Sequence, residues 1–327
     1  MIDTKELTSS CIHCGLCTKH CTFLNQYQLD LQGFGQRPDL AYHCFLCDDC
    51  STVCPKDISG RKVALSLRQQ LVQNAGGQVK ESGYRALLWE KLDYRFRNYK
   101  KGSSKSVLFP GCNFPSFYPK TTDLLIRLLK EKADIGVIFD CCGKPVSELG
   151  LAENEQQYTA ALQKRLHDAG VEELVVLCPN CYYFLKTRLD IPLVSIYEKL
   201  QQLGLGQPIL AEKAHLFVPC PDKKTLELEQ SFLPFLAGEW ENIPGIQCCG
   251  LGGCAAVKEP ELSEGFRSEV KARQLPNVYT YCASCAGSLR RSGVEQVHHI
   301  LVDLLGSDEQ SELSLLSLWN RAKRKFY

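Results

Sequence analysis

The sequence predicts an α/β protein with a mainly helical N-terminal domain, followed by two tandem repeated domains that each contain a small, mostly parallel sheet. Three observations predict this class. Apolar residues recur at helical spacing in several segments, short apolar runs alternate with those segments, and one arrangement of cysteines occurs twice. Alternation of helices and apolar runs is typical of parallel sheets, and the loops at the strand ends would then hold the cysteines.

The first 75 residues are predicted to form the helical domain. Residues 24–31 and 39–42 have a helical pattern, and Val63, Leu67 and Leu71 indicate a short amphipathic helix. Eight of the 19 cysteines lie here in two similar runs, Cys11-x2-Cys14-x2-Cys17-x3-Cys21 and Cys44-x2-Cys47-x2-Cys50-x3-Cys54. This spacing matches the ferredoxin run, in which three thiolates hold one 4Fe-4S cubane and the fourth cysteine reaches the other cubane.

Two cubanes are therefore predicted. One would be held by Cys11, Cys14, Cys17 and Cys54, and the other by Cys44, Cys47, Cys50 and Cys21. Cys54 is followed by the usual proline, Pro55, whereas Thr22 stands at the corresponding position after Cys21. The nearby histidines, His13, His20 and His43, are expected to donate hydrogen bonds beside the clusters or to be exposed.

Structural zinc is the alternative interpretation of these cysteines, because zinc also accepts four thiolates. Zinc ribbons separate two Cys-x-x-Cys pairs by a longer loop, whereas here the third cysteine follows at once. Iron-sulfur clusters are the better prediction, and analysis for acid-labile sulfide distinguishes the two.

Residues 76–106 are polar, with basic residues concentrated between Lys91 and Lys105, and are predicted to be a basic linker. The repeated domains are predicted over residues 107–212 and 213–327. Each contains an apolar run into a cysteine, a Cys-Cys-Gly, and an apolar run into Cys-x-x-Cys. Equivalent cysteines lie 108 (Cys112 to Cys220), 107 (Cys141 to Cys248) and 104 (Cys178 to Cys282) positions apart.

Helices are predicted between these cysteines. The apolar positions that indicate them are Leu124, Leu125 and Leu128, then Tyr158, Leu162 and Leu166, then Leu262, Phe266 and Val270. Taken alone, Cys178-Pro-Asn-Cys181 is also typical of a thioredoxin-like dithiol. Five cysteines in each copy indicate a ligand set instead, and Gly143 and Gly250 would let the backbone approach a bulky cofactor.

The arrangement resembles the cysteine-rich Cys-Cys-Gly domain proteins, among them the disulfide-cleaving subunits of heterodisulfide reductase, with a ferredoxin module fused at the N-terminus. The resemblance implies that each five-cysteine set holds a noncubane 4Fe-4S cluster and that a substrate disulfide is split between the two. The implied sets are Cys112, Cys141, Cys142, Cys178 and Cys181, then Cys220, Cys248, Cys249, Cys282 and Cys285. Pro221 departs from the histidine that many members have after the corresponding cysteine, which leaves the substrate open.

Cubane and noncubane ligands together account for 18 of the 19 cysteines, and Cys254 is left over. A lone cysteine of this kind is more often a small buried residue than a ligand. The adjacent Gly250-Leu-Gly252-Gly253 does not follow the strand-to-helix pattern of a phosphate loop, so it does not predict a nucleotide site.

The resemblance also implies an oxidoreductase subunit that acts within a complex. Electrons would come from a flavoprotein, a hydrogenase or another donor subunit and pass from the cubanes to the noncubane pair, where a small disulfide is cleaved or formed. Similar proteins serve flavin-dependent dehydrogenases of glycolate, lactate or glycerol 3-phosphate and pass electrons toward quinone. This electron-transfer role is the alternative.

Charge and hydropathy exclude several other classes. With 38 basic and 37 acidic residues, the chain has no global field for nucleic acid or an anionic membrane. It has no apolar stretch near the roughly 20 residues that span a bilayer, and no signal peptide is predicted. We expect a cytoplasmic, anaerobic protein that meets a membrane only through a partner. No flavin or nicotinamide motif is present.

Overall fold

The computed structural model describes residues 3–327. Helices and strands alternate along most of the chain. The helices are α1 Thr4–Thr8, α2 Leu16–His20, α3 Thr22–Gln26, α4 Leu31–Phe34, α5 Gly60–Asn74, α6 Arg85–Lys91, α7 Phe114–Phe117, α8 Pro119–Ala133, α9 Lys144–Glu148, α10 Ala152–Asp168, α11 Pro179–Leu185, α12 Ile196–Gln202, α13 Glu227–Phe232, α14 Pro260–Ala272, α15 Ala283–Arg291, α16 Ile300–Leu304 and α17 Leu316–Lys323.

The strands are β1 Asn98–Lys101, β2 Ser106–Phe109, β3 Gly136–Phe139, β4 Glu173–Val176, β5 Leu193–Ser195, β6 Ile209–Leu216, β7 Leu236–Asn242, β8 Val278–Thr280 and β9 Val297–His299. Short 3₁₀ segments lie at Pro38–His43, Asp49–Val53, Leu233–Phe235, Gly252–Val257 and Arg324–Phe326. The mixture of helices with small, mostly parallel sheets confirms the predicted α/β class.

The chain divides into two compact units. Unit 1 consists of Met1–Leu92, Pro145–Gln156 and Gly245–Glu269, and unit 2 consists of Asp93–Lys144, Gln157–Pro244 and Val270–Tyr327. Unit 1 is built from helices and turns, and its described residues contain no strand. Its core packs Phe23, Leu24 and Phe34 against the Val63–Leu67 face of α5. The pattern at Val63 and Leu67 thus predicts the buried side of α5 correctly.

Unit 2 holds both sheets. The first has the strand order β1-β3-β2-β4-β5, and the second has the order β7-β6-β8-β9. All pairings are parallel except that of β1 with β3. When β1 is left out, the two sheets have the same strand order. In each, the first strand along the chain (β2 or β6) lies between the second (β3 or β7) and the third (β4 or β8), and the fourth (β5 or β9) lies outside the third. One apolar core, which includes Val107, Leu174, Leu216 and Tyr279, runs through the unit.

Two details differ from the patterns in the sequence. Residues 76–106 contain α6 and the edge strand β1, so this segment holds more regular structure than a linker. The Asn98 side chain donates hydrogen bonds to the carbonyls of Arg324 and Tyr327, which ties β1 to the end of the chain. In α8, Leu124 and Leu128 are half-buried, and the core face consists of Leu125, Ile126 and Leu129.

Candidate metal centres

The first predicted cubane set is gathered in unit 1. Cys11, Cys14, Cys17 and Cys54 line one small cavity. Gly15 precedes α2 in the left-handed conformation (φ 70°), which turns the chain sharply between Cys14 and Cys17. The pKa of Cys17 is raised, mainly by burial. Four thiols around one cavity are a donor set that suits a metal core.

The second predicted cubane set is also gathered in unit 1. Burial raises the pKa of Cys21 to about 11 and that of Cys44 to about 12, and it also raises the pKa of Cys50. In all three cases the neighbouring thiol of Cys47 adds to the effect. Such thiols stay protonated at neutral pH unless a cation replaces the protons, so this site also fits a cationic iron-sulfur core.

Gly60, the first residue of α5, lies against this second set. A Cβ atom at Gly60 would lie 2.4 Å from the Cys50 Sγ and 2.9 Å from the Leu31 Cδ2. Only glycine leaves room for the sulfur at this point. The close approach of α5 therefore helps to fix the position of Cys50.

A side-chain amide also contacts the second set. Gln247 is 5% exposed, and its Nε2 lies 3.3 Å from the Cys21 Sγ and 3.6 Å from the Cys47 Sγ. Its Oε1 accepts hydrogen bonds of 3.0 Å from both the backbone N–H and the hydroxyl of Thr22. The departure from proline at position 22 thus supplies two donors that a proline lacks.

Arg68 holds the loops around the second set. Its guanidinium is fully buried and donates hydrogen bonds to the backbone carbonyls of Ala41, Cys44, Glu148 and Gly253, at 2.6–2.9 Å. It also lies over the Tyr42 ring, 4.8 Å from the ring centroid. One side chain therefore joins the stretch from Ala41 to Cys44 to two distant segments of unit 1, at Glu148 and Gly253.

The three histidines near these cysteines each pair with a carboxylate. His13 contacts Asp30 at 2.6 Å, and His20 contacts Asp49 at 2.9 Å. His43 contacts Glu259 at 2.7 Å, and this carboxylate also accepts a hydrogen bond from the hydroxyl of Tyr27. The ligand atoms of Cys11, His13 and Asp30 lie within 4.8 Å of one another, so His13 is the histidine beside the first cysteine set.

The first Cys-Cys-Gly set is gathered in unit 2. Hydrogen bonds from Cys141 and Cys181 lower the pKa of Cys142, while the pKa of Cys181 is raised by its bonds to Cys142 and Cys178. Cys112 packs against the small cluster that contains Cys141. A Cβ at Gly111 would lie 3.1 Å from the Cys181 Sγ, so the Cys112 loop also adjoins the Cys-x-x-Cys.

A buried carboxylate precedes the Cys-Cys pair. Asp140 is fully buried, and its Oδ1 accepts hydrogen bonds from the Cys141 N–H at 2.8 Å and the Tyr158 hydroxyl at 2.7 Å. Its Oδ2 accepts from Tyr99 at 2.9 Å and Arg97 at 3.0 Å. Gly143 is needed beside this network because a Cβ there would lie 2.9 Å from the Tyr158 ring.

The second Cys-Cys-Gly set is divided between the units. Cys248 and Cys249 belong to unit 1, and Cys220, Cys282 and Cys285 belong to unit 2. Within unit 1, the Gly250 N–H lies 3.2 Å from the Cys248 Sγ, and a Cβ at Gly250 would lie 2.6 Å from the Ser263 carbonyl oxygen. Within unit 2, the thiol of Cys285 hydrogen-bonds to Cys282 and lowers its pKa.

The two Cys-x-x-Cys segments contact each other in unit 2. The Asn180 Nδ2, between Cys178 and Cys181, lies 3.7 Å from the Cys282 Sγ. The Asn113 Nδ2 donates a 2.6 Å hydrogen bond to the hydroxyl of Ser284. Residues beside the predicted ligands of the first set therefore contact the Cys282–Cys285 segment of the second set.

Residues 106–186 match the model of the cysteine-rich domain, CCG. The match includes Cys112, Cys141, Cys142, Cys178 and Cys181. This segment is therefore similar to the cysteine-rich CCG domain. The resemblance proposed from the sequence is thereby confirmed, because the matched region contains the complete first five-cysteine set.

Three relatives extend the similarity beyond the CCG domain. A fumarate reductase (CoM/CoB) subunit of Methanothermobacter marburgensis is 21% identical over 94% of this chain and 74% of its own length. The glycolate oxidase iron-sulfur subunit of Escherichia coli is 21% identical over 91% of this chain and 93% of its own length. An uncharacterized iron-sulfur protein of Methanococcus maripaludis is 22% identical, over 77% of this chain and 57% of its length. The chain is thus related to iron-sulfur subunits of redox enzymes.

Several residues at the CCG loops have no motif that would reveal them. Asp222, two residues after Cys220, is fully buried and bonds to the hydroxyls of Tyr183 and Tyr281, the latter at 2.5 Å. Asp140, Gln247 and Arg68 are likewise buried polar side chains that form hydrogen bonds with residues distant in the sequence. The one available signal is position, since Asp140 and Gln247 each come directly before a Cys-Cys-Gly.

Cys254 lies in unit 1 and packs, partly buried, against the core of that unit. Its backbone is in the left-handed conformation (φ 56°), directly after Gly253 (φ 59°). Its carbonyl oxygen accepts a hydrogen bond from the Tyr84 hydroxyl at 3.3 Å. The role of the Cys254 thiol stays a prediction.

None of the helices over residues 3–327 combines the length and the apolar character that crossing a membrane requires.

Proposed function

We propose that this chain is an iron-sulfur subunit of an oxidoreductase complex, and that it reductively cleaves, or forms, a small disulfide. Residues 1–75 would hold the two cubanes, and residues 107–212 would hold a noncubane cluster on the first CCG set. The set from residues 213–327 stays a prediction from the cysteine repeat. When bound, the clusters supply reversible one-electron oxidation and reduction.

The contact between the two Cys-x-x-Cys segments carries this proposal. A protein that only conducts electrons has no need for ligands of two sets to adjoin, whereas a disulfide presents two sulfur atoms that must be bound at once. Cleavage of the S–S bond takes two electrons and two protons and yields two thiols. Adjacent ligand sets allow both sulfurs to be held while the two electrons arrive singly.

The burial of the thiols indicates where a substrate would approach. Cys141, Cys142 and Cys181 are buried, whereas Cys112 and Cys178 are half-exposed. Cys220 is half-exposed as well. Water is therefore excluded from the inner thiols, and a small disulfide would meet the set from the side of Cys112 and Cys178. The buried Asp140 carboxylate holds the Cys141 backbone through its hydrogen bond from the Cys141 N–H.

Electron transfer without disulfide chemistry is the second candidate, and the similarity to the glycolate oxidase iron-sulfur subunit favours it. In that case a flavin-dependent dehydrogenase subunit would donate the electrons and a quinone or another carrier would accept them. A hydrogenase or flavoprotein donor would serve the disulfide reaction in the same way. The partner that copurifies with the chain distinguishes these arrangements.

The test begins with protein prepared without oxygen. Four clusters would give about 16 iron and 16 acid-labile sulfide per chain, whereas zinc sites would contain no sulfide. The reduced protein is then mixed with a small disulfide, and thiol release is measured against oxidation of the protein. Release of two thiols per two electrons supports the disulfide reaction. Full cluster content in the wild type with no thiol release would leave electron transfer as the function.

A further inference from the structure

Gln247 has an arrangement unlike that of an ordinary buried glutamine. Its amide nitrogen faces two sulfurs, Cys21 Sγ and Cys47 Sγ, that come from different cysteine runs and belong to the same predicted cubane set. At 5% exposure the amide is shielded from water. Because water is excluded here, a neutral N–H donor stabilises negative charge on the two sulfurs with little screening by solvent.

The orientation of the amide is determined by its other end. The Thr22 backbone N–H can only donate, so the Gln247 atom 3.0 Å away must be the oxygen. The Thr22 hydroxyl donates to the same oxygen at 3.0 Å. The NH₂ group is therefore the end that faces the two sulfurs, and a flipped amide would lose the bond from the backbone.

The residue type at position 22 makes this possible. Thr22 is the first residue of α3, a position where proline is well tolerated, and Cys21 before it has the extended backbone that a following proline requires. Proline at this site would fit the fold but would remove both donors to Gln247. Threonine therefore has a role here that helix geometry alone does not explain.

We propose that Gln247 sets the reduction potential of the cluster on Cys21, Cys44, Cys47 and Cys50, and that Thr22 positions it for this task. This inference rests on the proposed function, because it requires that the four cysteines hold a cluster. Reduction adds negative charge that is shared with the ligand sulfurs. A hydrogen-bond donor aimed at two of them stabilises the reduced form and raises the potential.

The experiment is a redox titration of the anaerobically prepared full chain, followed by electron paramagnetic resonance. Gln247→Met keeps the length of the side chain but removes both donors. We expect the equilibrium constant for reduction of one cubane to fall about tenfold, which lowers its midpoint potential by about 59 mV. Thr22→Pro should lower the same midpoint, while Thr22→Ser, which keeps both donors, should leave it unchanged.

The first cubane, on Cys11, Cys14, Cys17 and Cys54, is an internal control, since the two sulfurs that the Gln247 amide faces, those of Cys21 and Cys47, both belong to the other set. If the paramagnetic signal whose midpoint shifts in Gln247→Met is lost in Cys44→Ser, that signal belongs to the cluster on the set that contains Cys44. An unshifted midpoint in Gln247→Met, or an equal shift of both midpoints, would overturn the proposal. If Gln247→Met fails to retain iron, Gln247→Glu keeps the bond from Thr22 and should lower the midpoint further. Iron loss in both variants would show a purely structural role.

The proposed function fails in a different way. If the wild-type chain contains no sulfide and gives no signal on reduction, no cluster is present and the function is wrong. If the wild type has full clusters and the variants match its potentials, only the role of Gln247 is wrong.

Discussion

Asn113 donates a 2.6 Å hydrogen bond to the hydroxyl of Ser284, and its own Oδ1 lies 3.7 Å from the Cys112 Sγ. Asn113 follows a cysteine of the first set, and Ser284 lies between Cys282 and Cys285 of the second. The bond therefore couples the positions of predicted ligands from two sets that are far apart in the sequence.

Asn113→Ala should slow the release of thiol from a small disulfide. We expect a fall of about tenfold, because small displacements of groups that hold a substrate have large effects on rate. Iron and sulfide content should stay at the wild-type value. Asn242→Ala is the matched control, since the Asn242 side-chain amide donates only to the Glu229 carboxylate among the described hydrogen bonds. Equal rates in both variants would refute the coupling.

Gly60→Ala should reduce the iron content of the purified protein by about one cluster. The added Cβ would lie 2.4 Å from the Cys50 Sγ, so the sulfur or α5 must move. Gly265→Ala is the control, because Gly265 lies within α14 and a Cβ there meets nothing within 4 Å. This control should keep all its iron and gain about 0.5–1 kcal/mol of stability, as alanine favours a helix interior over glycine. Normal iron in Gly60→Ala would contradict the expected steric conflict.

Arg68→Met should destabilise the protein by about 3 kcal/mol or more. The substitution keeps an unbranched side chain but leaves four buried carbonyl oxygens without their donor, and each such loss is costly. Urea unfolding measures the effect. Arg37→Met is the control, because the Arg37 side chain is 44% exposed and pairs with the exposed Asp39. Such surface pairs contribute little, so we expect a change within about 1 kcal/mol.

Acid should weaken the fold through His299. This side chain packs against the rings of Phe114 and Tyr118, its Nδ1 accepts the Leu301 N–H, and burial lowers its pKa to about 3. The pKa in the unfolded chain is about 6.5. The unfolded state therefore binds more protons than the native state below that value. Stability is fully present above pH 6.5 and is lost progressively as the pH falls toward 3.

Urea unfolding at pH 7.5 and 5.5 tests this expectation. His299→Asn keeps an acceptor for Leu301 but does not titrate, so the wild type should lose about 1.4 kcal/mol more than the variant between the two pH values. His298→Asn, at a half-exposed neighbouring position, should behave as the wild type does. Parallel pH profiles for the wild type and His299→Asn would show that the buried imidazole does not contribute.

Spacing and periodicity predict much of this molecule. The alternation of helices and apolar runs indicates the α/β class, and the cysteine runs identify thiols that the structure gathers around single sites. Periodicity also predicts the buried face of α10 at Tyr158, Leu162 and Leu166. Leu124 and Leu128 of α8 show the limit, because helical spacing alone does not reveal how far a face turns toward the core.

The contacts around the thiols could not be predicted in this way. Asp140, Gln247 and Arg68 are single polar residues, and nothing in their local sequence shows that they are buried. Gln247 lies 226 and 200 positions from the two thiols it contacts, those of Cys21 and Cys47. Such contacts depend on the tertiary arrangement, and they have no periodicity by which a sequence could reveal them.

The bonds of Arg68 bear on how this polypeptide can be divided. A fragment that ends at residue 75 would keep all eight N-terminal cysteines and the Ala41 and Cys44 carbonyls, but it would lack Glu148 and Gly253. It would also lack Gln247. We therefore do not expect residues 1–75 to fold as an independent unit. If the gene were divided at this point, we expect that the N-terminal fragment would fold around its predicted clusters only when the rest of the chain is also present.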